Sequence, residues 1–416
     1  MAAPPTSPAS PDALRFRLAL RLARFAVWLS RRLLGRTGGV IGGRVLAKVD
    51  PLAERRVGAG HHILIVSGTN GKSTTTAVLT AGMTVLGPVA TNADGSNTPA
   101  GLLWTLATAQ TENVVLEVDE AWLPWAAATF GAEALVLLNL SRDQLHRNPE
   151  VGRLANAWRT AATGVPIAIA NADDPWVAWA GQAAARSVWV AAGQTWDEDS
   201  LVCPQCGELL DRSGPGWRCT SCEQRRPEPE WALAPGAIVA PGEVRLDYST
   251  LPGQENLSNV AMALAAVTAF GGDPAAALQA MTSVSAVEGR YATVHIAGRD
   301  VRLVLAKNPA SWRTALRLVG ERAGRQVVLA FNADGVDGLD PSWLYDVDFD
   351  ALRGHRIAVT GERATDMTVR LAMSGIEVAG QFGDLRSALT VLEPGPVDLI
   401  ATYSAFLRAR KELTRD

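Results

Sequence analysis

Gly68, Thr69, Asn70, Gly71, Lys72, Ser73 and Thr74 follow directly on the apolar run Ile63–Val66 and open a helical pattern. Strand, glycine-rich turn and helix together are what a phosphate group demands. Its charge must meet several backbone N–H groups at once, so the chain has to curl tightly, which Gly68 and Gly71 permit. A helix beginning near Lys72 adds its positive end. Lys72 then offers a point charge to the β- and γ-phosphates, and Ser73 or Thr74 a hydroxyl to Mg2+. The segment predicts a nucleoside triphosphate site, for ATP or alternatively GTP.

A divalent ion on a triphosphate also needs a carboxylate, normally at the carboxyl end of a neighbouring strand. Glu117 closes the apolar run Val114–Leu116, with Asp119 and Glu120 just beyond it. Loop acids are common on surfaces, so Glu117 is the first choice. Asn139, after the run that starts at Ala134, and Asn171-Ala172-Asp173-Asp174-Pro175, after Ile167–Ala170, are two further polar strand ends. Such loops gathered at one sheet edge would make a nucleotide cleft.

All four cysteines are local: Cys203-x-x-Cys206, then Cys219-x-x-Cys222. Two such knuckles have the spacing of a tetrahedral Zn2+ site, whereas a pair of disulfides is disfavoured in a reducing compartment. Four protein ligands leave no open position, so the ion would be structural, folding an insertion too small for a core of its own.

The elements that position these groups follow from the hydrophobic pattern. Short apolar runs alternate with helical patterns from His62 onward, the rhythm of a parallel sheet with crossover helices. After Gly289 a second series runs through Val301–Leu305, Val327–Phe331, Arg356–Thr360, Ile376–Ala379 and Asp398–Ala401. The expected organisation is a flexible start and basic helix over residues 1–50, and an ATP-binding domain over 51–288 with a zinc ribbon inserted at about 199–226. A smaller Rossmann-like α/β domain would follow over 289–416. Leu18, Leu22, Phe25 and Leu29 recur at helical spacing among arginines, which predicts a basic amphipathic helix from Ala13 to Leu34 that the glycines 35–43 interrupt. It either packs on the main domain or meets a membrane surface.

Composition narrows the function. With 416 residues and 48% hydrophobic content the chain can build more than one core. Lys and Arg total 39 against 42 acids, which argues against nucleic acid as a partner. No apolar run of about 18 residues is present, so a spanning helix is not expected and the chain should stay in the cytoplasm.

The motifs resemble those of the Mur ligase superfamily, ATP-dependent amide-forming enzymes of peptidoglycan synthesis and folate polyglutamylation. Gly68–Thr74 looks like its ATP loop. Gly253-Gln254-Glu255-Asn256-Leu257-Ser258-Asn259 is similar to a segment near the adenine, with Glu255 in place of His, which implies that Asn256 helps hold the base. Gly289-Arg290 resembles the start of the last domain, where the resemblance implies that Arg290 reaches the nucleotide. Two departures matter. The phosphate loop begins too early to leave room for a separate amino-terminal substrate domain, and Lys307-Asn308-Pro309 replaces a segment carrying an acid and an imidazole.

Within the superfamily the chain looks like the MurT family, the ligase-like subunits of lipid II isoglutaminyl synthases. The resemblance rests on Asn139–Leu145, the cysteine insertion, Lys307–Pro309, Asp340-Pro341-Ser342-Trp343, Gly361–Met367 and Thr402–Ala405. His146 stands where an acid is expected. The resemblance implies that ATP phosphorylates the α-carboxylate of D-glutamate in lipid II and that ammonia from a GatD-type glutaminase subunit, bound as a heterodimer, attacks the acyl phosphate to give D-isoglutamine. It also implies that an aspartate of the last domain completes the glutaminase's triad, assigned to Asp340, with Asp346 as competitor. Six aspartates lie between Asn332 and Asp350, where turn hydrogen bonding alone would also favour them. The chain offers no nucleophile of its own, since zinc would use every Cys and no Gly-x-Ser-x-Gly elbow is present. Two alternatives stay open: a Mur- or folylpolyglutamate-type ligase that joins an amino acid, and a non-catalytic ATP-binding scaffold.

Overall fold

The computed structural model describes residues 11–34, 38–143, 150–194, 196–251, 253–284, 291–296, 298–320 and 326–413. They fall into two units, Met1–Leu140 with Gly152–Ser285, and Ser141–Val151 with Ala286–Asp416.

The first unit is built on a sheet of β1 (His62–Ser67), β2 (Val89–Thr91), β3 (Asn113–Glu117), β4 (Ala134–Leu137), β5 (Ile167–Asn171) and β6 (Arg186–Ala191). After a small hairpin of β7 (Leu210–Asp211) and β8 (Arg218–Cys219), the sheet is extended by β9 (Trp231–Ala234), β10 (Ala237–Ala240) and β11 (Val244–Asp247). The order is β11-β10-β9-β6-β5-β4-β1-β3-β2. From β9 to β2 neighbours run parallel, and the central strands are continuous apolar runs because helices cover both faces. β1 lies between β3 and β4, with Val66 opposite Glu117 and Ser67 opposite Leu137. That register brings the ends of three strands to the phosphate loop.

Its helices are α1 (Pro11–Leu34), α2 (Gly39–Val49), α3 (Lys72–Met83), α4 (Pro99–Thr108), α5 (Leu123–Phe130), α6 (Val151–Ala162), α7 (Pro175–Gly181), α8 (Gln254–Ala269) and α9 (Pro274–Met281). One core joins β-strand residues such as Leu64, Val66 and Val136 to Val78 and Leu79 of α3 and to the alanine-rich face of α8.

Two expectations at the amino end need correction. The glycines do not simply interrupt the helix, because Gly39, Gly42 and Gly43 lie inside α2. A Cβ on Gly43 would sit 1.6 Å from the Ala100 carbonyl oxygen, and one on Gly42 would meet the Trp104 ring at 2.5 Å. Glycine is what lets α2 press against α4. In α1 the small residues Ala19, Ala23, Val27 and Ser30 are buried, while Leu18, Leu22, Phe25 and Leu29 face solvent. Among the described residues no helix is long and apolar enough to cross a membrane.

The second unit holds β12 (Tyr291–Ile296), β13 (Arg299–Leu305), β14 (Gln326–Ala330), β15 (Ile357–Thr360), β16 (Gly380–Phe382) and β17 (Gly395–Ala401) in the order β12-β13-β17-β14-β15-β16. Only β12 is antiparallel. Along β14, Val327 and Leu329 enter one core and Val328 and Ala330 the other, with α10 (Pro309–Gly320), α11 (Ala364–Met373), α12 (Leu385–Thr390) and α13 (Tyr403–Leu413) covering the faces. The expected strand Ile376–Ala379 is not one. Gly375 takes φ +68 after α11, and the Ile376 N–H bonds back to the Leu371 carbonyl, which tucks Ile376 into the core as a helix stop. The strand begins at Gly380.

Candidate active site

The phosphate loop leaves β1 and turns at Gly68 and Gly71. Gly71 has φ +89, and a Cβ there would lie 2.5 Å from Asn259 Oδ1 of α8. Side chains are excluded because a second helix closes on the turn. Asn139, at the end of β4, clamps the loop three times: its carbonyl accepts from Thr69 N–H at 2.9 Å, its Oδ1 from Asn70 N–H at 2.9 Å, and its Nδ2 donates to the Asn70 carbonyl at 2.9 Å.

Lys72 is buried at the start of α3. Its Nζ donates to the Gly68 carbonyl at 2.6 Å, more weakly to Thr69 at 3.4 Å, and pairs with Glu120 Oε2 at 2.9 Å. Ser73 is half-buried in the first turn of α3 and Thr74 is buried. Glu117 is buried at the end of β3, where Asn97 Nδ2 donates to its Oε1 at 3.1 Å. Its backbone is held on both sides by Asn92, which accepts from the Glu117 N–H and donates to the Glu117 carbonyl, each at 2.8 Å. Asp119 caps the turn that follows by accepting from Ala121 N–H. Asn256 is buried in the first turn of α8, one helical turn before Asn259. Arg290 and His146 lie outside the described residues.

The loop at Asn171–Pro175 behaves differently from the expectation of a nucleotide wall. Asn171 Nδ2 donates to the Leu138 carbonyl and to Gln194 Oε1, both at 2.9 Å. Asp174 is fully buried as the cap of α7, accepting from Trp176 and Val177, and it also accepts from Leu140 N–H at 2.8 Å. Burial pushes its carboxyl up to about 6, against the opposing pull of those N–H groups. Asp173 binds Arg226 Nε at 2.7 Å and Gly193 N–H at 2.7 Å. These acids fasten strand ends to one another and to the cysteine insertion.

Cys203, Cys206, Cys219 and Cys222 bring four Sγ atoms within 4.8 Å of one another. The pairs 206–219 and 203–222 are 3.5 and 3.6 Å apart. A disulfide needs about 2.05 Å, whereas thiolates at ~2.3 Å from a tetrahedral Zn2+ lie about 3.8 Å from each other. The set fits the ion and not the disulfide. N–H groups of Ser221 and Cys222 point at Cys219 Sγ at 3.3 Å and draw its thiol down to about 6. The ribbon is anchored on the main sheet by Trp217, which is buried and donates from Nε1 to the Ala172 carbonyl at 2.9 Å, and by the Arg226–Asp173 pair.

In the second unit, Asp340 is exposed and its Oδ1 accepts from Ser342 N–H at 2.9 Å. Asp346 pairs with Arg142 at 2.8 Å, and Lys307 pairs with Asp143. The loop carrying Asp340 is held by a polar knot at the strand ends. Asn332 accepts from Glu362 N–H and donates to Ser404 Oγ, while Ser404 Oγ donates to Asp334 and its N–H to Asp337. Burial raises the Asp337 carboxyl above its ordinary range. Gly361, at φ +108, comes so near that a Cβ would lie 2.4 Å from the Phe331 carbonyl oxygen.

Comparison with known proteins matches residues 66–199 to the Mur ligase middle domain and residues 305–406 to the MurT ligase C-terminal family. The chain is 28% identical over 96% of its length, and 97% of the other protein, to the lipid II isoglutaminyl synthase (glutamine-hydrolyzing) subunit MurT of Streptococcus pneumoniae. The chain resembles the MurT subunits over nearly its whole length. The MurT subunit of Staphylococcus aureus is 27% identical over 86% of this chain and 88% of its own. Among solved structures, a pseudomurein peptide ligase type C from Methanothermus fervidus superposes with TM-score 0.69 at 17% identity over 89% of this chain and 83% of that one. MurF from Acinetobacter baumannii gives 0.65 at 16% over 91% and 81%. These two share the fold.

Several residues of the site escape a reading of the motifs alone. Asn92 and Asn97 both follow a three-residue strand, β2, that no period marks. Asn259 is three residues after Asn256, and that helical spacing is the signal that puts both on one face of α8.

Proposed function

We propose that this chain is the ATP-dependent ligase subunit that amidates the α-carboxylate of D-glutamate in lipid II to D-isoglutamine, with ammonia from a GatD-type glutaminase bound as a heterodimer. The observation that carries the reading is a buried Lys72 in a glycine cradle, within a chain whose residues 305–406 match the MurT C-terminal family. Backbone N–H groups of Gly68–Thr74 and the Lys72 ammonium hold the phosphates. Ser73, on the more accessible side of the first turn, and Glu117 hold Mg2+. Asn256 holds the base, and the role that the resemblance implies for Arg290 falls outside the described residues. When bound, the nucleotide supplies the phosphoryl group that activates the carboxylate. Lys307 occupies the place of the acid-and-imidazole segment of ligases that join amino acids, and its ammonium is engaged by Asp143, which supports ammonia as the amine. Zn2+ sits in the four-thiolate ribbon as a structural ion.

Asp340 serves as the acid that orients the glutaminase histidine. Its exposure supports this. Tyr345, Val369 and Met373 are exposed apolar side chains, with the Tyr345 hydroxyl 3.5 Å from Met373 Sδ, and form the seat for that subunit. The working location is the cytoplasmic face of the membrane, where lipid II is presented.

The test is reconstitution with the glutaminase, lipid II, ATP, Mg2+ and glutamine, reading the mass of the lipid product. The expected product carries an amide in place of one carboxyl. Asp340→Asn should lose the reaction with glutamine and keep it with ammonium. An unmodified lipid, or an Asp340→Asn enzyme equally active with glutamine, overturns the respective assignment.

A further inference from the structure

We propose that α1 is an in-plane anchor that lays its outer face into the surface of an anionic lipid bilayer. Its inner face is made of small residues, Ala19, Ala23, Val27 and Ser30, all buried. The opposite face carries Leu14, Leu18, Leu22, Phe25, Trp28, Leu29 and Leu33, each between 40% and 70% exposed. At ~100° per residue these seven share an arc of roughly 140°, as broad as the buried stripe of a globular helix, yet turned outward. Over 24 residues the helix is about 36 Å long at 1.5 Å per residue.

Charge selects the occupant. Arg15, Arg17, Arg21, Arg24, Arg31 and Arg32 are all exposed on the same helix. Arg17, Arg24 and Arg31 follow one edge of the apolar arc, Arg15 the other, and Arg21 and Arg32 fall within it. A second copy of this helix would bring those guanidinium groups against one another. A dry protein interface would have to bury Arg21 and Arg32 amid leucines. A bilayer surface takes both demands at once, since leucine and phenylalanine enter the acyl boundary while guanidinium groups stay at the phosphates. Trp28 belongs at that depth. Its ring stacks on Phe25 at 5.8 Å and lies 5.6 Å beneath the Arg32 guanidinium. The pull of the arginines and the apolar insertion act together, so both anionic lipid and the leucine stripe are required.

The inference stands independently of the amidation reading, and its test uses no lipid II. The full chain is sedimented with vesicles of phosphatidylglycerol and phosphatidylcholine, then with phosphatidylcholine alone. Binding to the anionic vesicles should exceed that to the neutral ones at least tenfold and fall as salt rises. Leu18→Gln/Leu22→Gln/Phe25→Gln should cut it at least tenfold with an unchanged melting temperature, because these side chains face solvent. Brominated acyl chains should quench fluorescence in the parent chain and much less in Trp28→Phe. A chain that stays in the supernatant, or a triple variant that binds as before, overturns the proposal. So does a dimer in solution that the triple variant dissociates, which would assign the face to a second copy.

Discussion

Lys72→Ala is the natural test of the phosphate loop, and the structure predicts that it does more than remove a phosphate ligand. The ammonium pairs with Glu120 at 2.9 Å, the two side chains being 8% and 7% exposed. Removing the cation leaves a carboxylate in a poorly solvated place beneath the loop, at a cost of about 3 kcal/mol. For a unit of this size that corresponds to a fall of roughly 6–12 °C in melting temperature. Lys72→Ala should therefore lose ATP turnover and melt early, and the two defects have different origins. Adding Glu120→Gln removes the orphaned charge, so the double variant should recover most of the stability and none of the turnover. Differential scanning fluorimetry without nucleotide reads the first, phosphate release the second. A Lys72→Ala chain as stable as the parent, or a double variant no more stable than the single one, would refute the claim that Glu120 is a charge partner.

Two further expectations concern the scaffold. Asp174 titrates at about 6 in the fold against an ordinary 3.8, so the folded chain binds its proton more tightly than the unfolded one. Stability from this group is fully present below the unfolded value and is lost as pH rises through 6. The parent should gain about 1.3 kcal/mol relative to Asp174→Asn between pH 7 and pH 5 in denaturant melts; a difference that does not move with pH would exclude the shift. Cys219→Ser should abolish zinc measured by mass spectrometry of the metal and speed proteolysis within 199–226 at least tenfold, while residues of β1 to β4 stay protected. A resistant, metal-free ribbon would contradict the four-thiolate reading.

The parts of the site that a sequence shows are those whose chemistry is local. The glycine turn before Lys72 and the paired Cys-x-x-Cys units announce themselves within a few residues of chain. Glu120 does not, because its bond to Lys72 exists only once β3 pairs with β1. The same holds for Asn92, which reaches Glu117 from just past the three-residue β2. The acids at 173 and 174 have the composition of a ligand loop, yet Arg226 and the Leu140 N–H, both distant in sequence, claim them. β9 to β11 were missed because they are short and broken by turn glycines, and α2 because a helix with Gly42 and Gly43 inside it makes sense only beside Ala100 and Trp104.

The position of the ribbon also bears on how the chain folds. It interrupts the chain between β6 and β9, strands that must pair side by side for β9 to β11 to join the sheet. Pairing across residues 192–230 carries the entropy of closing a long loop. Four thiolates holding one ion would shorten and stiffen that span, and Trp217 and Arg226 bond to Ala172 and Asp173 just past β5. A chain whose thiolates held no ion would keep that long loop open, leaving the outer side of β6 as an unpaired strand edge of the kind that recruits other chains.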